Sequence, residues 1–222
     1  MLNASASASA RARPPERWRR RCIAAAIATL AVAFVSPIEH LSSELASAHM
    51  VQHVLLLLVA APLLALGTPP GMVPRWLPPV AVWLAHAGTV WFWHAAGPYD
   101  AALENDFIHV AEHASFLVTA VLFWWIVIGG ATRTPVSRGY GVLLVFAMAM
   151  QSVFLSVLLT FARTPWYSPY VKATPTWSLD PLADQQLAGV IMWIPAGLVY
   201  LGAGLALAVA WLREAEQETV AP

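Results

Sequence analysis

Seven histidines occur in this 222-residue chain, and four of them form two i,i+4 pairs, His49 with His53 and His109 with His113. Four residues at 1.5 Å rise span about 6 Å, one helical turn, so each pair turns two imidazoles onto one helix face. Two such imidazoles can pinch a metal ion, and imidazole is the commonest protein metal ligand. Glu112 precedes His113 and follows His109 by three, giving His109-Val110-Ala111-Glu112-His113. Its carboxylate reads as an acid that orients an imidazole, or as a ligand itself. His94 is a further candidate, and His86 lies eight residues before it, about 12 Å deeper along a helix. Met50 falls inside the first pair and Met192 much later. Thioethers suit Cu(I), although methionine is also common packing filler.

The elements that must position these residues are membrane helices. Hydrophobic residues make up 59% of the chain, against 12 Lys+Arg and 12 Asp+Glu. Long uncharged runs of this kind exclude a soluble globular enzyme. Six stretches, 22–38, 49–66, 79–96, 107–128, 139–162 and 187–212, each approach the roughly 20 residues that cross a hydrocarbon core. The fold class is therefore all-α, a polytopic transmembrane bundle of about six spans. Three parts follow: a disordered basic cytoplasmic leader over 1–21, a single transmembrane domain over 22–212 and a cytoplasmic tail over 213–222. Net charge is zero and no basic stripe follows the leader, which excludes nucleic acid as a partner. Cys22 is the sole cysteine, so neither a disulfide nor a cysteine-rich metal site can form within one chain.

Arg11, Arg13, Arg17, Arg19, Arg20 and Arg21 precede the first span and set the N-terminus in the cytoplasm. Alternation then puts Arg75, Arg133, Arg138 and Arg213 inside, with Glu39, Glu44, Asp100, Glu104, Asp106, Asp180 and Asp184 outside. The basic start, the apolar run and Ala46-Ser47-Ala48 also resemble a cleavable signal peptide, an alternative that leaves the later topology unchanged. The longest outer loop, 163–186, carries Trp166, Tyr167, Tyr170 and Trp177, which read as an aromatic lid or, more plainly, an interfacial belt.

On this topology both histidine pairs begin at the outer ends of their helices, and His94 reaches the same depth from the third. His49, His53, His94, His109 and His113 thus converge on one outward-facing metal site. Glu112, Met50, Met192, His86 and Asp184 are accessory candidates. Asp184, with Gln185 and Gln186, is read as capping the first turn of the sixth helix or lining the site. A lone interfacial histidine is more often an anchor, but two pairs at matching depth favour a shared function.

Several chemistries fit. The H-x-x-E-H string supplies zinc ligands and a base in inverzincin peptidases, yet the later glutamates Glu214, Glu216 and Glu218 fall on the opposite side of the membrane. His53 and His113 on neighbouring helices are a candidate haem pair, and the two histidine pairs together a candidate di-metal enzyme. A transporter is a further alternative and fits less well, since His86 alone continues the polar path inward.

Five blocks in order carry a resemblance: His49-Met50-Val51-Gln52-His53; Ala61-Pro62-Leu63-Leu64-Ala65-Leu66-Gly67; Trp91-Phe92-Trp93-His94; the His109 to His113 string leading to Phe123-Trp124-Trp125; and Asp184-Gln185-Gln186-Leu187-Ala188-Gly189 with Met192-Trp193. From His49 to the last helix the chain resembles the CtaG family of integral-membrane cytochrome c oxidase assembly factors. The resemblance implies a non-enzymatic protein of the bacterial cell membrane, and about seven spans where hydropathy gives six. It implies help in delivering copper to a copper-containing subunit of a haem-copper oxidase. Zinc or haem remain alternative cofactors. The metal role carries over to His49, His53, His94, His109 and His113, which coincide with the family's blocks.

Overall fold

The computed structural model describes residues 16–69, 77–130 and 135–220, and they are helical with no strand among them. Residues 2–10, Arg11 and Arg13 of the expected leader lie outside the described residues, as do Arg75 and Arg133. Helix α1 is Glu16–Val35, α2 Pro37–Ser42 and α3 Ala46–Val54; a π-helical turn, Leu55–Ala60, joins α3 to α4, Ala61–Gly67. Then come α5 Pro79–His94, α6 Ala96–Glu104 and α7 Asp106–Trp125, which continues through a second π turn, Ile126–Gly130. Helix α8 is Pro135–Thr160, α9 Ser168–Ala173 and α10 Pro181–Val220.

Four stretches are long and apolar enough to cross a membrane: Ala46–Gly67, Asp106–Ile128, Gly139–Thr160 and Pro181–Arg213. The outward faces of the last three agree, since Val118, Phe146, Phe154, Leu198, Leu201 and Leu205 all lie exposed on the surface. Apolar exposure on this scale marks a membrane-facing surface. The expected first and third spans are also helices, but α1 opens on a charged Glu16-to-Arg21 turn and α5 has 16 residues, about 24 Å of rise.

Several boundaries differ from the sequence reading for identifiable reasons. The expected 1–21 leader is not disordered throughout, because α1 starts at Glu16 and brings Arg17, Arg19, Arg20 and Arg21 onto helix. The first long helix stops at Val35, since Ser36 precedes a proline and is held extended, its hydroxyl accepting from the Ile38 N–H at 3.2 Å. Helix α10 runs on to Val220, into the expected 213–222 tail. Asp180, not Asp184, caps α10, its carboxylate accepting from Ala183 N–H at 2.9 Å.

Two sequence blocks acquire packing roles. A Cβ on Gly189 would lie 2.7 Å from Thr160 N and 2.9 Å from Ser156 O, so α10 can approach the α8 backbone only because residue 189 has no side chain. Pro62 explains the π turn. In π register Ala61 N–H donates to Leu56 O, and the next donor, at position 62, has no hydrogen. Leu57 O, left without a chain donor, takes the indole N–H of buried Trp124 at 2.9 Å. Other indoles also bond across the bundle: Trp91 donates to Gln151 at 2.9 Å, Trp93 to Ser115 at 2.8 Å and Trp125 to Thr68 at 2.7 Å.

Replacing Trp124 with Phe keeps an aromatic side chain but removes the indole N–H and part of the buried ring, leaving Leu57 O unsatisfied. We expect a loss of about 1–3 kcal/mol, read as a lower unfolding midpoint in detergent; an unchanged midpoint would show that the π turn does not need the indole.

Candidate metal centre

Helix α3 carries His49 and His53 and α7 carries Glu112 and His113; one ligand atom from each of these four buried side chains lies within 4.8 Å of all the others. Glu112 is central. Its Oε2 lies 3.5 Å from His49 Nε2 and 3.9 Å from His113 Nδ1, and its Oε1 lies 3.5 Å from His53 Nε2. These separations are long for hydrogen bonds. The two 3.5 Å separations match the roughly 3.4 Å edge of a tetrahedron of ligands placed about 2.1 Å from a central ion, whereas the 3.9 Å approach is longer and involves the His113 nitrogen that bonds His109 O.

The hydrogen bonds at the far sides of the rings fix which nitrogen is free. His49 Nδ1 is 3.1 Å from the Tyr170 hydroxyl, which itself donates to Ser42 O at 2.6 Å. Burial pushes the Tyr170 phenol well above its usual range, so it stays protonated. With its one hydrogen given to Ser42, that hydroxyl accepts from His49 Nδ1–H, which leaves a lone pair on His49 Nε2 aimed at Glu112. His113 Nδ1 bonds His109 O at 3.0 Å and His94 Nδ1 bonds Val90 O at 2.7 Å, so their Nε2 atoms carry lone pairs too. His49 Nε2, His94 Nε2, His113 Nε2 and both Glu112 oxygens are buried without a hydrogen-bond partner, and so are both nitrogens of His53. Orphaned acceptors in such number are rare in a folded interior. Donor bonds on one imidazole nitrogen with the other left free are what metal ligation requires, and the set fits an ion.

The elements around the centre hold it in place. Asp184, on α10, reaches across to the start of α3, where it accepts from Ala46 N–H at 2.7 Å, from Ser47 N–H at 3.4 Å and from the Ser47 hydroxyl. Its carboxylate thus caps the helix that carries His49 and His53. Gln52, one turn along, donates to Ala33 O at 2.8 Å and to Glu39 Oε2 at 2.6 Å, tying α3 to α1 and α2. Above the histidines Tyr99, Tyr167 and Tyr170 are buried together; Tyr99 stacks on Tyr167 at 3.8 Å and lies 5.1 Å from the His49 ring. Burial raises all three phenols above their ordinary range. The 163–186 loop is therefore a tyrosine lid, with Tyr167 donating to His94 O at 3.0 Å.

Of the five histidines expected to converge, three join Glu112 directly. His94 is one ring away, 5.4 Å from the His53 ring and outside the four-residue group. His109 is half-buried, 4.4 Å from the His113 ring, and lines with it and Glu39 a cavity of about 310 Å³ between α1 and α7. His86 is apart, its Nδ1 3.1 Å from Thr119 and its ring stacked on Phe123. Met50 and Met192 line a small cavity beside His53 and His94. Sequence reasoning missed the roles of Tyr170, Gln52 and Ser42. An aromatic loop was visible in the sequence, but nothing local tied position 170 to position 49.

With this geometry known, the comparisons add a family. The model of the cytochrome c oxidase caa3 assembly factor family matches residues 3–214. Uncharacterized proteins of Mycobacterium bovis and Mycobacterium tuberculosis are each 28% identical over 203 aligned positions, covering 78% of this chain and 31% of the relative. The chain thus spans under a third of the length of these curated relatives. No solved structure matches it. The buried histidine and glutamate centre belongs to an all-helical chain whose match runs over nearly its whole length, and this protein is a member of the cytochrome c oxidase caa3 assembly factor family.

Proposed function

We propose that this protein binds a copper ion at His49, His53, Glu112 and His113 and passes it to a copper-containing subunit of a haem-copper oxidase in the bacterial cell membrane. The observation that carries the reading is the convergence of unpartnered ligand atoms on one buried point. Three imidazoles and a carboxylate suit Cu(II) as well as zinc, and the family's client favours copper. The reading is that of a carrier and not an enzyme: Glu112 stands among the ligands, where a hydrolytic base would need a free carboxylate facing a bound water. A haem fits less well, because the His53 and His113 rings, 5.2 Å apart, have the Glu112 carboxylate beside them and the Phe116 ring 4.6 Å from His53.

The topology in this proposal has six crossings, with α1 and α5 joining the four longer helices. Arg17, Arg19, Arg20 and Arg21 hold the start of α1 in the cytoplasm, so the tyrosine lid and the histidine centre face outward. The ion reaches His113 through the cavity lined by Glu39 and His109. Near-surface placement and a shell of single-tooth ligands would let an acceptor replace them one at a time.

Protein purified in detergent from copper-supplemented cells should hold about one copper per chain by mass spectrometry, and His49→Ala, His53→Ala and His113→Ala should each lose most of it. A wild-type protein that retains neither copper nor zinc would remove the metal-centre reading. Tyr170→Phe keeps the lid ring but frees the His49 tautomer; copper affinity measured against a chelator should fall about 10–100-fold. Equal affinity in the variant would mean that the hydroxyl does not orient the ligand.

A further inference from the structure

His53 has a second neighbourhood that the His–Glu centre does not use. It lines a cavity of about 20 Å³ together with Met50, His94, Met192, Ser152, Tyr200 and five aliphatic side chains, and Glu112 is not among the lining residues. That volume holds one water molecule or one bare ion, and little more. Both methionines are buried and they come from different helices, α3 and α10, while His94 comes from α5. His94 Nδ1 is committed to Val90 O at 2.7 Å, so its Nε2 is a lone-pair donor, and that atom is buried without a partner. His53 differs from its neighbours, because neither of its nitrogens has a hydrogen bond to fix the tautomer.

Two thioethers and two imidazoles around a one-ion void make a soft, uncharged ligand set. The His–Glu centre is harder, because it includes a carboxylate. Soft thioether ligands select Cu(I), whereas nitrogen and oxygen sets suit Cu(II) and zinc. We propose that Met50, Met192, His94 and His53 form a second site, selective for a soft monovalent cation such as Cu(I), sharing His53 with the His–Glu centre. This rests on the copper-handling reading for its biological sense, but it uses three side chains that the first centre does not. Since neither nitrogen of His53 is held by a hydrogen bond, this one ring can serve either site.

The test uses the full chain in detergent and silver(I) as the redox-inert probe for Cu(I), with zinc(II) probing the His–Glu centre. Met50→Leu/Met192→Leu conserves volume and removes both sulfurs, so the bundle should stay folded. The proposal expects silver affinity to fall at least tenfold in this variant with zinc binding unchanged. In His49→Ala/His113→Ala it expects the reverse, zinc lost and silver kept. Unchanged silver affinity in the methionine variant, including silver held adventitiously elsewhere, overturns the second site. Zinc binding absent from wild type, with methionine-dependent silver binding present, would instead sink the His–Glu centre and leave this site standing. Should the double variant fail to fold, silver-edge X-ray absorption on the wild type decides: a sulfur shell supports the proposal, and a shell of nitrogen and oxygen alone overturns it.

Discussion

A carboxylate buried among imidazoles is the constraint on which the rest of this structure depends. Glu112 has no exposed surface, and its ion-pair partners among the described residues are all histidines. An ionised carboxylate taken out of water loses several kcal/mol of solvation, even after relaxation, unless a positive charge replaces it. Lys and Arg could supply that charge permanently, and among the described residues none is paired with it. Neutral imidazoles supply it only by taking a proton or by sharing a cation. The Tyr170 hydroxyl on the far side of His49 takes its Nδ1 hydrogen and leaves the Nε2 lone pair toward Glu112, while His109 O takes the Nδ1 hydrogen of His113 and leaves its Nε2 unpartnered. A cation between them answers the burial of Glu112 and the orphaned lone pairs together.

The surrounding bundle serves that arrangement by fixing α3 against α7. Asp184 caps α3 from a distance of more than a hundred residues, and Gln52 anchors the same helix to α1. Immediately below His53 the helix loosens into a π turn, stabilised by the Trp124 indole where Pro62 cannot donate. Such a turn rotates the later residues relative to the histidines, so the Ala61-Pro62 block and the Phe123-Trp124-Trp125 block are two halves of one contact. Gly189 then lets α10 close on α8, which brings Met192 toward His53.

Much of this was legible in the sequence where the signal was periodic and local. The i,i+4 pairs picked out the two helices that bring histidines to Glu112, and hydropathy picked out six helices at nearly their final places. Residues that act across the fold were not legible. Asp184 looked like a cap for its own helix because a sequence shows only its own first turn, and the aromatic loop looked like a belt because interfacial tryptophans and tyrosines share its composition. His94 and His109 matched the others in depth along the helix, but depth does not give rotation about the axis. Rotation, set by packing, put His94 beside the methionines and His109 at the rim.

In the proposed centre three imidazoles and one carboxylate share a single ion. Copper-edge X-ray absorption on protein loaded with one equivalent of Cu(II) should then show a shell of nitrogen and oxygen at about 2.0–2.2 Å, with the outer-shell scattering of three imidazole rings. A shell with one imidazole or none would contradict it, and would leave Glu112 to be balanced in the membrane by something other than a metal.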